Sequence, residues 1–171
     1  MKMTTPSTKG ALKLMPVAAA FLFGAASVNA QERSTADEAL ALIKVAQAYV
    51  KTNGLEKSIA EFNKLDSPFN AKSDINKKGD LYLFSVDSKG FQAVHGKNPK
   101  IVGKVTLDMK DADGVMLIQE LVKTCFSSKD GKGWTSYKWP NPLTKAIEPK
   151  QAYVEKVPNV PEFCIGTGIY K

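Results

Sequence analysis

The 171-residue sequence contains few of the side chains from which catalytic and metal sites are usually built. It has one histidine, two cysteines and a single arginine, although 24 residues are basic. One histidine and two cysteines cannot supply the four ligands of a closed Cys/His zinc site. A serine or cysteine hydrolase would have to depend on His95 alone, and no GxSxG nucleophile motif accompanies it. We therefore predict no metal site, no cofactor and no enzymatic activity.

Blocks of like charge are also missing from the sequence. The first 30 residues contain three lysines and no acid, so residues 31–171 have 21 basic and 17 acidic side chains and a formal charge of +4. Lysine and glutamate are scattered, and no basic stripe is interleaved with aromatic residues. A surplus of this size favours solubility and does not indicate a nucleic-acid partner.

The N-terminus has the order of features that is typical of a secretory signal peptide. Three lysines precede the apolar run Leu14–Ala26, which is followed by the small residues Ser27-Val28-Asn29-Ala30. A membrane anchor is the alternative, but it needs about 20 apolar residues and this run is shorter and contains Pro16. We predict a signal peptide at residues 1–30 with cleavage after Ala30. The mature chain would then be periplasmic or secreted, without a membrane span.

Cys125 and Cys164 are the only two thiols of this predicted exported chain. An even number of cysteines in an oxidising compartment favours one disulfide between them. Two buried, unpaired cysteines are the alternative, because the sequence does not show how closely the two residues approach.

The hydrophobic spacing changes along the chain from a helical period to an alternating one. Thr35 and Glu38 predict a capping box that starts a long helix, which ends at Asn53-Gly54 before a shorter helix over 55–64. A β-hairpin is predicted next, with strands over 81–86 and 91–95 joined by a turn. A helix over Val115–Phe126 follows it. The last three predicted strands are Trp134–Trp139, Gln151–Val157 and Phe163–Ile169. We predict an α+β fold with an antiparallel sheet of about five strands packed against the long N-terminal helix.

Two short motifs have structural explanations that we prefer. Asp111-x-Asp113-Gly114 resembles part of a calcium-binding loop, but Met109 stands where the first carboxylate ligand is required. An acidic turn before a helix explains it better. Gly166-Thr167-Gly168 is a lone GxG with no helix after it to hold a phosphate, so we interpret it as a closely packed terminal strand.

The most distinctive local sequence is aromatic. Residues 133–142 read GWTSYKWPNP and contain both tryptophans, and EPKQAYV follows at 148–154. Together with DLYLF at 80–84, AVHG at 93–96, KDADG at 110–114 and Gly166–Tyr170, these motifs resemble a single Cache domain of the second type over residues 36–171. The resemblance implies a PAS-like antiparallel sheet and an extracytoplasmic sensor of small molecules, often short carboxylates.

The resemblance also implies a binding site. Lys150 would supply the cation for a carboxylate, His95, Tyr137 and Tyr153 would donate hydrogen bonds, and Tyr82, Trp134 and Trp139 would form the walls. One lysine gives a point charge without the bidentate geometry of arginine, so we expect affinity on the order of micromolar to millimolar. Any of these aromatic residues could instead be ordinary core filling.

Domains of this family usually lie between the two membrane helices of a chemoreceptor or histidine kinase, and this sequence contains no second membrane helix after the domain. We expect a freestanding exported module that binds a small organic acid and acts through a membrane receptor or histidine kinase. The alternative is a structural or interaction domain of the cell envelope, with no ligand and a cavity filled by its own aromatic residues.

Overall fold

A computed structural model of the chain describes residues 1–3 and 32–171. The predicted signal peptide and its cleavage site after Ala30 fall outside these residues, apart from the first three, and stay predictions. Within the described part of the chain, no helix has both the length and the apolar character needed to span a membrane.

The first N-terminal helix begins and ends where the sequence predicts, and the second ends two residues before the predicted position 64. Helix α1 (Ala36–Asn53) starts with the capping box, in which Thr35 and Glu38 each bind the other's backbone N–H through their side chains. Gly54, with a φ of 78°, ends α1 and directly precedes helix α2 (Leu55–Phe62). One face of α1 is buried, and its residues recur at helical spacing: Ala39, Leu42, Ile43, Ala46 and Val50.

The main sheet has four antiparallel strands, one fewer than the sequence suggested. Residues 32–171 contain six strands: β1 (Phe84–Val86), β2 (Phe91–Gln92), β3 (Lys104–Val105), β4 (Lys132–Pro140), β5 (Ile147–Lys156) and β6 (Cys164–Tyr170). Strands β1, β6, β5 and β4 form the main sheet in that order, and β2 pairs separately with β3. The predicted α+β class, with an antiparallel sheet and a long N-terminal helix, is confirmed.

The predicted hairpin between residues 81–86 and 91–95 is present, with its turn at Asp87–Gly90, but the pairing is irregular. Strand β1 pairs with β6, and it meets the second segment only through an isolated bridge between Phe84 and His95 and neighbouring backbone hydrogen bonds. Side-chain oxygens replace two backbone acceptors of this pairing, since Ser85 Oγ accepts from the Val94 N–H and Asn70 Oδ1 accepts from the Leu83 N–H. Asn63 binds the outer edge of the second segment, through the Ala93 carbonyl and the His95 N–H.

A hydrophobic core lies on each face of the sheet. The α1 side packs Leu42, Ile43 and Phe62 against Tyr153 and Ile165. The opposite core contains Tyr82, Tyr137 and Tyr170 together with residues of helix α3 (Leu117–Val122), which continues as a π-helical turn over Lys123–Ser127. The α-helix predicted over 115–126 is thus shorter in the structure, and its C-terminal part is a π-helical turn.

The predicted disulfide is present in this second core. Cys125, in the π-helical turn, is bonded to Cys164 at the start of β6, with their Cα atoms 6.4 Å apart. The bond ties the segment that covers the sheet to the strand beneath it.

Candidate functional site

Lys150 is the centre of the candidate site. It lies on β5, is only 1% exposed, and donates one hydrogen bond from Nζ to Tyr82 Oη at 2.8 Å. Among residues 32–171, no carboxylate lies within ion-pair distance of this ammonium. Burial lowers the pKa of Lys150 from its ordinary 10.5 to about 7, because the charged form loses its hydration. Among the described residues, this buried ammonium therefore has only neutral partners.

Aromatic rings surround the ammonium. Lys150 Nζ lies 4.1 Å from the ring centre of Tyr82, and it faces three further rings at 5.3 to 5.9 Å, those of Phe84, Tyr170 and Tyr137. Such contacts stabilise a cation electrostatically without neutralising its charge. Tyr82 Oη and Tyr170 Oη are 3.3 Å apart, and Tyr170 donates to the Pro140 carbonyl at 2.8 Å. The phenol that accepts from Lys150 is thus held by a chain of hydrogen bonds.

Strand register explains how these residues meet. Tyr137, Lys150 and Tyr170 are directly opposite one another on β4, β5 and β6, so their side chains share one face of the sheet. Gly168 makes room for the lysine, since a Cβ at that position would lie 2.5 Å from Lys150 Cε. This close approach confirms the structural interpretation of the GxG motif.

His95 lies beside this cluster as a neutral hydrogen-bond donor. Its ring centre is 5.1 Å from that of Tyr82, and its Nδ1 accepts hydrogen bonds from the backbone N–H of Asn98 at 2.9 Å and of Lys97 at 3.3 Å. Burial, together with the nearby Lys150 charge, lowers the pKa of His95 to about 3. Because Nδ1 is an acceptor in the neutral ring, the proton is on Nε2.

Trp134 and Tyr153 are not part of the cluster. They are paired across β4 and β5 with ring centres 5.2 Å apart, on the face of the sheet opposite to Lys150. Tyr153 packs in the helix-side core and donates to Glu155 at 3.1 Å, and Trp134 is 38% exposed. The sequence analysis put Lys150 and Tyr153 in one site, but residues three apart on a strand point to opposite faces, and the two side chains lie on opposite faces of the sheet.

Three spaces adjoin the cluster. One is an open cleft of about 300 Å³ that is lined by Tyr137 and Lys150 together with Asp111 and Asp113. A space of only about 10 Å³ lies directly beside Lys150, under α3, between His95, Tyr137 and Trp139. An open cleft of about 320 Å³ lies next to it and is lined by Tyr82, His95, Trp139 and the 97–98 and 140–145 loops. Five of the seven predicted site residues thus line at least one of these spaces: Tyr82, His95, Tyr137, Trp139 and Lys150.

The sequence analysis missed several residues of this region. Lys97 and Lys145 line the cleft, and burial together with the Lys145 charge lowers the pKa of Lys97. Phe84 and Tyr170 complete the ring around Lys150. Phe84 and Tyr170 belong to motifs of the resemblance, but only the strand pairing places them near Lys150, and no local motif marks Lys97 and Lys145.

The single arginine, Arg33, is bound to the fold by two contacts. Arg33 Nη1 lies 2.8 Å from a Glu148 carboxylate oxygen and 2.7 Å from the backbone carbonyl of Lys171. It therefore joins the segment before α1 to β5 and to Lys171, and it lines none of the spaces beside the cluster.

The acidic turn also has a structural role, because the Asp111 carboxylate accepts hydrogen bonds from the backbone of Asp113, Val115 and Lys138.

Comparisons with known proteins agree with this architecture. The family description Single Cache domain 2 matches residues 29–171. A methyl-accepting chemotaxis protein from Vibrio parahaemolyticus has a similar structure, with a TM-score of 0.61 and 26% identity over 78% of this chain and 86% of that one. A Cache chemosensory domain described as recognising carboxylic acids has a TM-score of 0.55 and 22% identity over 75% of this chain and 83% of that one, which shows a shared fold.

A curated relative extends the comparison to kinases. The sensor histidine kinase MctS of Rhizobium johnstonii is 35% identical over 97 residues, which are 57% of this chain and 20% of the kinase. The chain thus matches about a fifth of the kinase's length. The family match covers most of the chain, and the matching segments in these relatives come from sensor proteins. The chain therefore belongs to the family Single Cache domain 2, whose members are extracytoplasmic sensor domains.

Proposed function

We propose that the chain is an exported sensory domain that binds a short organic acid and passes its ligand state to a membrane signalling partner. The observation that carries the proposal is the buried Lys150 ammonium, which has one phenol as its hydrogen-bond acceptor and no carboxylate within ion-pair distance among the described residues. A buried charge is costly unless it is paired and hydrogen-bonded. An anionic ligand would supply the missing partner.

The donors around Lys150 suit a carboxylate. The ammonium has three N–H groups, and one of them is used by Tyr82. The His95 Nε2–H is a further neutral donor on the same space. Lys97 and Lys145 give the adjoining cleft a positive potential that would attract an anion. A neighbour of the same fold is described as recognising carboxylic acids, which is consistent with this ligand class.

The relatives suggest what the domain reports to. A chemotaxis protein and a sensor histidine kinase contain the matching segment, so we propose a membrane receptor or kinase as the partner. Cleavage after Ala30 would remove residues 1–30 and release the domain into the periplasm or the medium. Fractionation of cells with N-terminal sequencing of the exported protein tests this part, and an intact leader on membrane-bound protein would contradict it.

One observation favours the second candidate, a ligand-free structural domain. The space beside Lys150 measures about 10 Å³, because aromatic and α3 side chains occupy the interior. A binding pocket for a small organic molecule is usually some hundreds of Å³. The open cleft of about 320 Å³ reaches that range, but acid binding at Lys150 requires side chains to move.

A thermal-shift screen of the purified protein against C2–C4 acids separates the two candidates. A ligand at a hundred times its Kd stabilises the folded state by about 2.7 kcal/mol, which raises Tm by several degrees. The matched neutral amides, such as acetamide for acetate, control for effects that do not depend on the carboxylate. Sodium chloride at the same concentration controls for ionic strength. If no acid at millimolar concentration raises Tm above these controls, the ligand-free domain is the correct alternative.

A further inference from the structure

Gln92 presents a buried acceptor of fixed orientation. Its side chain lies on β2, is 2% exposed, and donates from Nε2 to Thr106 Oγ1 at 2.9 Å. Thr106 Oγ1 uses its own proton toward the Gly90 carbonyl at 3.4 Å, so it can only accept from Gln92. These two bonds determine which end of the amide is Oε1. Among the residues that the structure describes, none donates a hydrogen bond to that oxygen.

The same small space is lined by Gln92 and by the proposed carboxylate donors. Gln92, His95 and Lys150 all border the space of about 10 Å³ under α3. Lys150 and His95 offer N–H donors there, and Gln92 offers a carbonyl acceptor. A simple carboxylate can satisfy only the donors. It would leave Gln92 Oε1 buried without a partner, which costs free energy comparable to a lost hydrogen bond.

We propose that the ligand is a 2-hydroxy acid, whose carboxylate binds Lys150 and whose hydroxyl donates a hydrogen bond to Gln92 Oε1. This inference rests on the proposed function and assigns its ligand class. In a 2-hydroxy acid the donor and the carboxylate are on adjacent carbon atoms, so a compact molecule presents both to one small space. Gln92 is then the residue that distinguishes hydroxy acids from the corresponding unsubstituted acids.

The acid enters from the cleft of about 320 Å³, because Lys97 and Lys145 line that cleft whereas Asp111 and Asp113 line the other open cleft beside Lys150. His95 and Trp139 border both the cleft of about 320 Å³ and the space beside Lys150. His95 is held by two backbone hydrogen bonds, whereas Trp139 is half-buried, so Trp139 is the side chain that moves. The space as it stands holds about one water molecule. A fixed water on Gln92 Oε1 is therefore the competing explanation, and it predicts no benefit from a ligand hydroxyl.

Calorimetric titration of the purified protein with lactate and propionate tests the inference, since the two acids differ by one hydroxyl. We expect the better lactate enantiomer to bind at least roughly tenfold tighter than propionate to the wild-type protein. A hydroxyl without a partner would instead weaken binding through its desolvation. Gln92→Met should reduce the lactate advantage to less than about twofold and leave propionate affinity unchanged. Gln119→Met, at an exposed position on α3, should preserve the advantage.

The outcomes separate this inference from the proposed function. Equal affinity of the wild-type protein for both acids overturns the role of Gln92 and leaves acid binding intact. Equal weakening of both acids by Gln92→Met also overturns it, because Gln92 would then be structural. If the wild-type protein binds neither acid, the proposed function itself is contradicted.

If Gln92→Met does not fold, Thr106→Val replaces it. That variant removes the bond that fixes the amide, and an unchanged lactate advantage in it would overturn the inference.

Discussion

At the scale of single residues, the chemistry of the domain centres on one buried lysine. Four aromatic rings and one phenol oxygen stabilise the Lys150 ammonium, and none of them carries a negative charge at neutral pH, since burial raises the pKa of Tyr82 and of Tyr137. The folded domain therefore tolerates either protonation state near neutral pH. A bound carboxylate would favour the charged state, so ligand binding and proton binding are coupled.

Lys150→Met tests the role of the charge. The methionine keeps much of the stem's volume but cannot bind an anion, so we expect acid binding to be lost, measured by calorimetric titration. The variant should fold with a free energy of unfolding at least equal to that of the wild-type protein, because a buried charge without an anionic partner is removed. Lys89→Met, in an exposed turn, is the matched control and should bind as the wild-type protein does. A Lys150→Met variant that binds acids normally would place the anion site elsewhere.

The pH dependence follows from the pKa of about 7 for Lys150. The acid must meet the ammonium, so affinity should be flat below neutral pH and fall by about tenfold per pH unit above pH 7, while the acid stays ionised. His95, with a pKa of about 3, remains neutral throughout and does not contribute. Affinity measured across this range is the test, and an unchanged Kd well above pH 7 would contradict the prediction.

The lowered pKa of Lys150 also makes the stability of the ligand-free domain depend on pH, but stability rises with pH whereas affinity falls. Between pH 7 and 10.5 the unfolded chain binds a proton at Lys150 that the folded domain has released. The contribution of Lys150 to the free energy of unfolding therefore rises with pH across this interval. Urea denaturation of the wild-type protein and Lys150→Met, compared at several pH values, isolates this contribution, and parallel curves would exclude it.

At the scale of elements, the close packing of β6 against β5 positions the lysine. The backbone of β6 runs against Lys150 at Gly168, where a Cβ would lie 2.5 Å from Lys150 Cε and 2.7 Å from the Gln151 carbonyl. Gly168→Ala should lower the free energy of unfolding by about 1–3 kcal/mol and weaken acid binding, because the lysine stem must shift. Ser136→Ala, at an exposed position of β4, is the control. Unchanged stability of Gly168→Ala would show that the two strands separate readily.

The disulfide is the second feature at this scale. The Cys125–Cys164 bond closes a loop with a sequence separation of 39 residues and joins the π-helical turn after α3 to β6. Replacing both cysteines by alanine should reduce the free energy of unfolding by about 4 kcal/mol, from the loop-closure entropy of the unfolded chain. Urea denaturation measures the loss. Unfolding midpoints that do not differ between the two proteins would contradict this account of how α3 is held over the sheet.

At the scale of the whole molecule, the helix caps, the α+β class and the family could be predicted from the sequence. Local sequence determines these features: the Thr35 capping box needs only two residues, and the family resemblance depends on short motifs such as GWTSYKWPNP. The pairing of β1 with β6 could not be predicted, because the two strands are far apart in the sequence and no turn between them sets the register. For the same reason the sequence did not place Gln92, Phe84 and Tyr170 around Lys150.

The crystal structure of the protein with the tightest-binding acid from the screen tests the central claim most directly. We predict a carboxylate oxygen within about 2.7–2.9 Å of Lys150 Nζ, with Trp139 displaced from its present position. Crystals of the Lys150→Met variant grown with the same acid should contain no acid at this position. An acid bound elsewhere on the domain, with Lys150 still hydrogen-bonded only to Tyr82, would contradict the account.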